Sequence, residues 1–514
     1  MSDPDLLLVN ARVVTLDPRI PRAEAVVIHR RLVRLVGTNE QARSLAGPDS
    51  QTIDAAGSLA VPAFHDAHLH LLSFARRRSQ IDCRGARSIA DVIEAIRAAA
   101  QRQPAEAWIR AAGYDEARLV ERRHPDRADL DVAAPTRPVR LQHRSLHLDV
   151  INSAGLAALG MADDVARGFD AAFGARIERD AAGRLTGRIY NGGELLRRHR
   201  EPRGLSRIEA DVGAASAYLL SRGITCVQDA TFTNGPEELA LFQRLADEGT
   251  LRVRLVLFRG AGRWREVPPI RSGPVRTGPI KIMLDEASSN PDAVRGAVRE
   301  AREAGQPVAL HAATEAELAI AIDALQAAPV RSPRTRGPDR IEHGAVIPDE
   351  ALASLRELRL AVVGQPALVS ERGDVYRERF AHAQHPWIHR AGSLVRAGIS
   401  YAVGSDAPVT DPDPLRSIAA ARTRTTPDGR PLGPDERLTA RQALAAHTLG
   451  PARAIGAASK LGRLREGALG DIVLLDPDAL ESPGWDGLDG AVRMTIVEGR
   501  VVWERGTTKS TGSV

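Results

Sequence analysis

The chain has 514 residues, of which 43% are hydrophobic and 26% charged, and this length favours two or more structural units. The 70 basic and 65 acidic side chains give a net charge of +5, without a Lys/Arg block typical of a nucleic-acid-binding arm. No apolar run approaches the roughly 18 residues of a membrane-spanning helix, and the acidic N-terminus does not resemble a signal peptide. We therefore expect a cytoplasmic protein that binds neither nucleic acid nor membrane.

Both ends of the chain show short alternating apolar segments separated by turn residues. The first end contains LLLVNARVV, AEAVVIH and RLVRLVG, and the second contains DIVLLD and AVRMTIVEGRVVWERG. Alternating Val, Ile and Leu bounded by Gly, Asp and Pro are typical of strands and turns. We predict one small β-sandwich domain built from residues 1–58 and 458–505, followed by a disordered tail at 506–514.

The middle of the chain alternates strand-like and helical segments, which is the pattern of a parallel (β/α)8 TIM barrel. We assign the barrel to residues 59–457. About 150 residues separate the first two strands, so residues 76–203 are predicted to form an insertion after strand 1. The eight predicted strands are 59–68, 223–230, 251–258, 279–285, 307–312, 340–344, 360–366 and 399–408.

The first barrel strand carries three histidines in FHDAHLHL. Residues two apart on a strand project to the same face, so His68 and His70 share a face and His65 has the opposite parity. Two imidazoles at the end of a strand suit a divalent metal. The alternative is one or two hydrogen-bonded core histidines.

Four further polar residues lie at or near the ends of predicted strands, where a barrel carries its active site. His311 ends VALHA and His343 ends RIEH, while Asp406 follows YAVGS. Each histidine is alternatively a core residue, and Asp406 alternatively caps a turn. Lys281 lies inside the apolar segment GPIKIMLD. Its alternative interpretation is a buried cation that pairs with Asp285.

Together these residues resemble the metal-dependent amidohydrolase superfamily, over nearly the whole chain. The insertion after strand 1, the segment RSLHLDVINSAGLAALG and the strand GITCVQDA are similar to its YtcJ-like branch, also called amidohydrolase 3. The resemblance implies a metal centre in which strands 1, 4, 5, 6 and 8 supply the ligands. Carried over to this chain, the ligands are His68, His70, Lys281, His311, His343 and Asp406.

The resemblance further implies that Lys281 is an N6-carboxylysine bridging two Zn²⁺ ions. A free ammonium would repel dications, whereas a carboxylated amine is an anion with two oxygens. Only three of the 70 basic residues are lysines, so the chain keeps Lys at this position while it uses Arg nearly everywhere else. Mn, Fe, Co or Ni would also accept such ligands.

The expected reaction is hydrolysis of a C–N bond in an amide or in a cyclic or substituted amide. A bound dication lowers the pKa of its water from 15.7 to roughly 7. Asp406 is expected to take the proton as general base and return it to the leaving nitrogen.

Two residues outside the metal centre are predicted to bind substrate. His147 and Asn152, in SLHLDVINSAGL, match positions of the YtcJ-like branch, although Ser145-Leu146 replaces the usual Asp-Gly. Tyr114, in AAGYDEARL, is the second candidate, with Asp115 beside it. After strand 4, Asp285-Glu286 likewise replaces Asp-Gly, and the additional carboxylate either changes the charge of the pocket or faces solvent.

Three other functions compete with this prediction. A mononuclear zinc deaminase of an aminated heterocycle uses the same barrel, but it usually lacks the strand-4 lysine. The complete ligand set argues against a non-catalytic metal-binding scaffold, because a scaffold does not need every ligand together with Asp406. A phosphate-binding barrel lacks support, since no Gly-rich phosphate loop is present. We expect a small-molecule substrate, and a homo-oligomer is compatible with the sequence.

Overall fold

A computed structural model describes residues 5–102, 108–145, 147–161, 176–192, 196, 205–286, 289–328, 337–481 and 490–506. The chain divides into two compact units, the first made of Met1–Leu71 and Gly213–Val514 and the second of Leu72–Val212. Of the predicted tail, residues 507–514 lie outside the described residues.

The strands are numbered here in chain order. They are β1 (Leu6–Val9), β2 (Arg12–Val14), β3 (Arg22–Ala23), β4 (Ala25–His29), β5 (Leu32–Gly37), β6 (Gln51–Asp54), β7 (Leu59–Pro62), β8 (Phe64–Leu69), β9 (Ile81–Asp82), β10 (Ile109–Tyr114), β11 (Val139–His143), β12 (Leu148–Ile151), β13 (Arg176–Arg179), β14 (Leu185–Tyr190), β15 (Ile224–Asp229), β16 (Arg254–Gly260), β17 (Val275–Ile282), β18 (Val308–Ala312), β19 (Arg340–His343), β20 (Ala361–Gly364), β21 (Ser400–Val403), β22 (Ile472–Leu475), β23 (Val492–Val497) and β24 (Arg500–Glu504).

The helices are numbered in the same way. They are α1 (Asn39–Arg43), α2 (Leu71–Arg78), α3 (Ile89–Arg102), α4 (Arg127–Ala133), α5 (Ser153–Ala158), α6 (Leu205–Ser221), α7 (Pro236–Asp247), α8 (Pro291–Glu303), α9 (Glu315–Ala327), α10 (Ala351–Glu357), α11 (Ala367–Arg379), α12 (Gly392–Arg396), α13 (Pro414–Thr423), α14 (Ala440–Ala446) and α15 (Leu449–Ala454). Short 3-10 helices span Glu116–Arg118, His382–Trp387 and Pro434–Glu436. None of the helices within the described residues is long and apolar enough to cross a membrane.

The TIM barrel predicted from the sequence is confirmed. Eight strands pair in the order β21-β20-β19-β18-β17-β16-β15-β8, and every pair is parallel. A parallel bridge between Leu69 and Ala407 brings the two edge strands together, so the barrel is nearly closed. The strands are buried along nearly their whole length, as expected where helices cover the outer face of a parallel sheet.

Local capping explains where the barrel helices begin. Helix α9 starts after Thr314, whose side chain accepts a hydrogen bond from the Glu317 backbone, while the Glu317 side chain accepts one in return. Helix α8 starts with Pro291 after an Asn290 cap, a position where the missing proline N–H costs nothing.

The first predicted strand, 59–68, is wrong as a single element. The run divides at Ala63 into β7, which joins a terminal sheet, and β8, which opens the barrel. Both halves are apolar and buried, so the sequence carries no break between them. The last predicted strand, 399–408, is also too long, because β21 ends at Val403 and leaves Asp406 in the following loop.

The two chain ends form two sheets, β5-β4-β1-β6 and β24-β23-β22-β7-β2-β3. Leu6 and Ile28 from the first sheet pack in one apolar cluster with Val13, Ile472 and Ile496 from the second. Such packing between two sheets is that of a β-sandwich.

The second unit has its own sheet, in the order β13-β14-β12-β11-β10-β9. Strand β10 pairs in parallel with β9 and β11, and the remaining pairs are antiparallel. Helices α3 and α4 contribute Val92, Ile96 and Leu130 to an apolar cluster with Ile109 and Val139 of β10 and β11. The unit therefore has a core of its own.

Candidate metal centre

The barrel brings all six predicted ligands to the carboxyl ends of its strands. His68 lies in β8, Lys281 in β17 and His311 in β18, while His343 is the last residue of β19. His70 directly follows β8, and Asp406 lies in the loop after β21. Residues separated by more than 300 positions in sequence thereby become neighbours.

Three of these side chains lie close enough to share one metal ion. One ligand atom from each of His68, His70 and Asp406 falls within 4.8 Å of the other two. Asp406 Oδ1 lies 3.2 Å from His70 Nε2 and 3.6 Å from His68 Nε2. Two histidines and a carboxylate form a donor set that divalent transition metals accept.

The other two histidines extend the cluster. The ring centroids of His68 and His343 are 4.7 Å apart, and those of His343 and His311 are 4.4 Å apart. His343 Nδ1 lies 3.9 Å from Asp406 Oδ2, so both carboxylate oxygens of Asp406 face imidazoles. The cluster therefore offers donors on both sides of one carboxylate.

The loop that carries Asp406 is fixed by hydrogen bonds to β8. The Asp406 backbone N–H donates to the His68 carbonyl at 2.7 Å, and the Ser405 N–H donates to Asp66 Oδ1 at 3.0 Å. Asp406 itself adopts a φ of +55°, a left-handed conformation that Asp tolerates better than most residues. These contacts hold the carboxylate beside the histidines of strand 1.

His68 is oriented by a buried carboxylate that the sequence analysis missed. Its Nδ1 lies 2.5 Å from Glu342 Oε2, and Glu342 Oε1 accepts a 2.6 Å hydrogen bond from the Arg340 guanidinium. All three side chains are completely buried. A carboxylate on one imidazole nitrogen fixes the tautomer and leaves the other nitrogen as a metal ligand.

A positive φ explains how two adjacent residues of β19 both reach His68. Neighbouring strand residues normally point to opposite faces. His343 has a φ of +72°, which breaks this alternation at the end of the strand. Glu342 and His343 can therefore both lie beside the same imidazole.

Two further histidines also have a hydrogen-bond partner on one ring nitrogen. His70 Nδ1 lies 2.9 Å from Thr231 Oγ1, and His343 Nδ1 lies 3.2 Å from Gln365 Oε1. Thr231 and Gln365 follow β15 and β20, so strands without a predicted ligand still supply orienting groups. The sequence could have indicated both residues, because Thr231 in DAT and Gln365 in VVGQP directly follow apolar strand segments.

Burial keeps the central imidazoles neutral. It lowers the pKa of His68 and His343 well below the ordinary value of 6.5, and neighbouring cationic groups lower it further. A neutral imidazole keeps a free lone pair, which is the form that binds a metal ion.

Lys281 is fully buried among these groups, and burial lowers its pKa from 10.5 to about 8. The carboxylates of Glu342 and Asp406 oppose this shift without cancelling it. Asp285 is exposed, so the alternative of a simple Lys281–Asp285 pair is not supported.

An orphaned polar atom provides a test of whether these residues fit a metal. His68 Nε2 is buried and has no hydrogen-bond partner, which would cost free energy if nothing else bound it. It lies within reach of Asp406 and His70. The chemistry of the donor set and this vacant lone pair therefore fit a divalent metal.

Comparison with known proteins identifies the family of this chain. The amidohydrolase family pattern matches residues 51–503, most of the chain. This chain belongs to the amidohydrolase family.

The chain is 27% identical to the N-substituted formamide deformylase of Arthrobacter pascens, over 98% of each chain. It is 25% identical to the protein named "Putative amidohydrolase YtcJ" of Bacillus subtilis (strain 168), over 94% of this chain and 96% of the relative. A crystal structure of an uncharacterized metal-dependent hydrolase from Pyrococcus furiosus shares its fold, with a TM-score of 0.73 and 23% identity over 92% of this chain and 99% of that one. The predicted likeness to the YtcJ-like branch is confirmed.

Membership of the family makes this protein a hydrolase of carbon–nitrogen bonds, and the cluster of ligand side chains fits a metal cofactor. The family does not determine which amide it cleaves. Because related barrels support different chemistries, the roles of individual residues have to be argued from the site.

The predicted substrate-binding residues lie in the second unit of this amidohydrolase. His147 is exposed, and its Nδ1 lies 3.0 Å from Asn191 Oδ1. Tyr114 is fully buried, and its hydroxyl lies 3.2 Å from His124 Nδ1. Asn152 is the N-cap of α5, and its side chain accepts hydrogen bonds from the backbone of Gly155 and Val139.

The structure shows where one residue that departs from the family pattern lies. Glu286, the additional carboxylate after strand 4, is exposed to solvent. Of the two interpretations offered by the sequence, solvent exposure is the one observed.

Proposed function

We propose that this protein hydrolyses the C–N bond of a small substituted amide at the barrel cluster, with zinc as the metal. His68, His70, His311, His343, carboxylated Lys281 and Asp406 would hold two ions. The main support is the buried, unpartnered Nε2 of His68 beside the Asp406 carboxylate. When bound, such a metal polarises the amide carbonyl and lowers the pKa of water to roughly 7.

The protein's own groups position the reactants and move the proton. An Asp406 carboxylate oxygen takes a proton from the attacking water and then delivers it to the leaving nitrogen. The hydrogen bonds from the Asp406 backbone to His68 and from Ser405 to Asp66 support this role, because they fix the loop that carries the base. Glu342, Thr231 and Gln365 keep the histidines oriented.

The surroundings of Lys281 favour its carboxylation. At the lowered pKa of about 8, more of the amine is neutral at physiological pH than in an ordinary lysine. The neutral Nζ lone pair forms a bond to the carbon of CO₂, and one N–H proton is released. The product is an anion that no longer repels a dication.

The substrate class is proposed from one relative. The name of the Arthrobacter pascens protein specifies N-substituted formamides, and the two chains align over nearly their full lengths. We therefore place N-substituted formamides first, ahead of other secondary and cyclic amides.

A substrate panel tests the proposed reaction. The zinc-loaded protein is assayed for amine release from N-substituted formamides, other amides and lactams, and for ammonia release from aminated heterocycles. We expect zinc-dependent amine release from at least one amide. Ammonia release from heterocycles alone would indicate a deaminase, and bound zinc without any turnover would indicate a scaffold; either result would overturn the proposal.

Isotope labelling tests the carboxylated lysine. Protein prepared with ¹³C-bicarbonate is expected to show a carbamate carbon signal in the NMR spectrum, and Lys281→Arg is expected to lack it. Lys460→Arg is the matched control, because Lys460 is exposed and donates to the Gly467 carbonyl. A spectrum of Lys281→Arg identical to that of the wild type would contradict carboxylation at this residue.

A further inference from the structure

A second group of side chains that could bind a metal lies within the second compact unit, Leu72–Val212, which we call the insertion unit. None of the predicted barrel ligands belongs to this unit. Glu116 belongs to the 3-10 helix after β10, His124 to the loop before α4, and His143 to the end of β11. Strands β10 and β11 are parallel neighbours, with Tyr114 opposite His143, so their carboxyl ends bring this group together. We call it the insertion cluster.

The three side chains have the spacing of a metal site. One ligand atom from each lies within 4.8 Å of the other two. Glu116 Oε2 is 2.7 Å from His143 Nε2 and 3.8 Å from His124 Nδ1. The rings of His124 and His143 meet edge to face, with centroids 5.4 Å apart. Two histidines and one glutamate are a donor set known for Zn²⁺.

Two of these atoms are buried without a hydrogen bond. His143 is only 8% exposed, and its Nε2 has no hydrogen-bond partner. The Glu116 Oε2 atom is also buried and lies 2.7 Å from His143 Nε2, while the Glu116 side chain as a whole is 28% exposed. Buried polar atoms in native proteins nearly always have partners. A cation held between these lone pairs would satisfy both.

The surroundings of the cluster favour a metal ion. His143 Nδ1 lies 2.8 Å from Ser145 Oγ and accepts a 3.2 Å hydrogen bond from the Ser145 backbone N–H, so Nε2 is the ring nitrogen that faces Glu116. The buried Tyr114 hydroxyl lies 3.2 Å from His124 Nδ1. The nearby Arg188 guanidinium is paired with Glu178 at 2.9 Å, which offsets its charge.

We propose that Glu116, His124 and His143 form a second metal site, which binds one Zn²⁺ ion with a remaining position open to water or to a further ligand. The ion would link the ends of β10 and β11 to the loop that precedes α4. A metal that binds only the folded state stabilises it in proportion to the logarithm of its concentration. A zinc ion bound there would stabilise the folded insertion unit, and the site does not depend on the proposed reaction.

Zinc stoichiometry tests the site in the full-length protein. After zinc loading and dialysis, His124→Gln and His143→Gln are each expected to hold one zinc ion per chain fewer than the wild type. His382→Gln is the matched control, because His382 is an exposed histidine outside both clusters, and it should hold the wild-type amount. Equal zinc content in all four proteins would overturn the proposal.

Two further measurements distinguish the loss of a metal site from misfolding of a variant. Thermal unfolding of the wild type should shift upward with added zinc more than that of His124→Gln. Crystals of the wild type, measured at the zinc absorption edge, should show an anomalous peak in contact with Glu116 and His143. A well-ordered insertion unit without such a peak would refute the site, and a peak seen only at high zinc concentration would indicate an adventitious ion only.

Discussion

The barrel cluster and the insertion cluster contain the same donor types but are built differently. The barrel ligands lie at or just after the ends of five strands, between residues 68 and 406, and three of the histidines have a hydrogen-bond partner on one ring nitrogen. The insertion ligands lie within residues 116–143, where His143 Nδ1 contacts Ser145 Oγ and His124 Nδ1 contacts the Tyr114 hydroxyl. The barrel centre is thus supported by the whole fold, and the insertion cluster by one local strand pair.

This difference fits the different roles that we propose for a metal at the two clusters. A reaction requires ligands held rigidly from several directions, with a base fixed beside them. A structural ion needs only to be bound better by the folded chain than by the unfolded chain. The carboxylate of the barrel centre lies on an anchored loop, whereas Glu116 lies on a short helix that ends at Arg118.

Removal of the proposed base should have the largest effect. Asp406→Asn is expected to lower kcat by roughly 10²–10⁴-fold while zinc stays bound, because the amide cannot accept the proton from water. The measurement is steady-state kinetics together with zinc content.

Glu286→Gln is the matched control for this variant, since Glu286 is an exposed carboxylate that follows the strand carrying Lys281. It should keep wild-type kinetics. A similar loss of kcat in both variants would attribute the effect to the charge of the region and remove Asp406 as the base.

The carboxylate behind His68 should have the next largest effect. Glu342→Gln is expected to lower zinc affinity or activity by roughly 10–100-fold, because the His68 ring loses its charged partner. The comparison is Ser145→Ala beside the insertion cluster, which removes a neutral hydrogen-bond partner of His143. Its effect on zinc affinity should be smaller.

Glu342 also neutralises the buried guanidinium of Arg340, so a control has to separate metal binding from stability. Arg340→Met combined with Glu342→Gln removes both charges and should recover part of the free energy of unfolding lost in the single variant. If zinc affinity recovers fully as well, the carboxylate does not act through His68.

The sequence predicted those parts of the site that recur at strand ends. Apolar runs ending in polar residues identified the barrel, because a parallel strand buried on both faces appears as a continuous apolar run. The six ligands were predicted from the resemblance to the amidohydrolase superfamily, and they stay a prediction. The same property hid the break at Ala63, since both β7 and β8 are buried. Only tertiary pairing assigns one half to the sandwich and the other to the barrel.

The missed residues depend on contacts between distant parts of the chain. Glu342 is an ordinary strand residue in the sequence, and its partner His68 is 274 positions away. Glu116, His124 and His143 follow no regular spacing, because a 3-10 helix, a loop and a strand end supply them. Such clusters become visible only when the chain is folded.

Acid should weaken the fold through its buried histidines. Burial lowers the pKa of His447 from 6.5 to about 4. The unfolded state therefore takes up a proton below pH 6.5 while the native state does not, and the free energy of unfolding should fall as pH drops towards 4. His447→Asn should show a shallower decline in denaturant titrations across this range.

His382→Gln serves again as the control, because an exposed histidine contributes little to this dependence. Parallel pH profiles for wild type, His447→Asn and His382→Gln would show that the buried imidazole of His447 is not kept neutral by the fold.

Anomalous diffraction at the zinc edge tests the central claim most directly. Crystals of the zinc-loaded protein should show a strong peak in contact with His68 Nε2, His70 and Asp406, with additional density extending from Lys281. An ordered barrel cluster without a peak at His68 Nε2 would contradict the account.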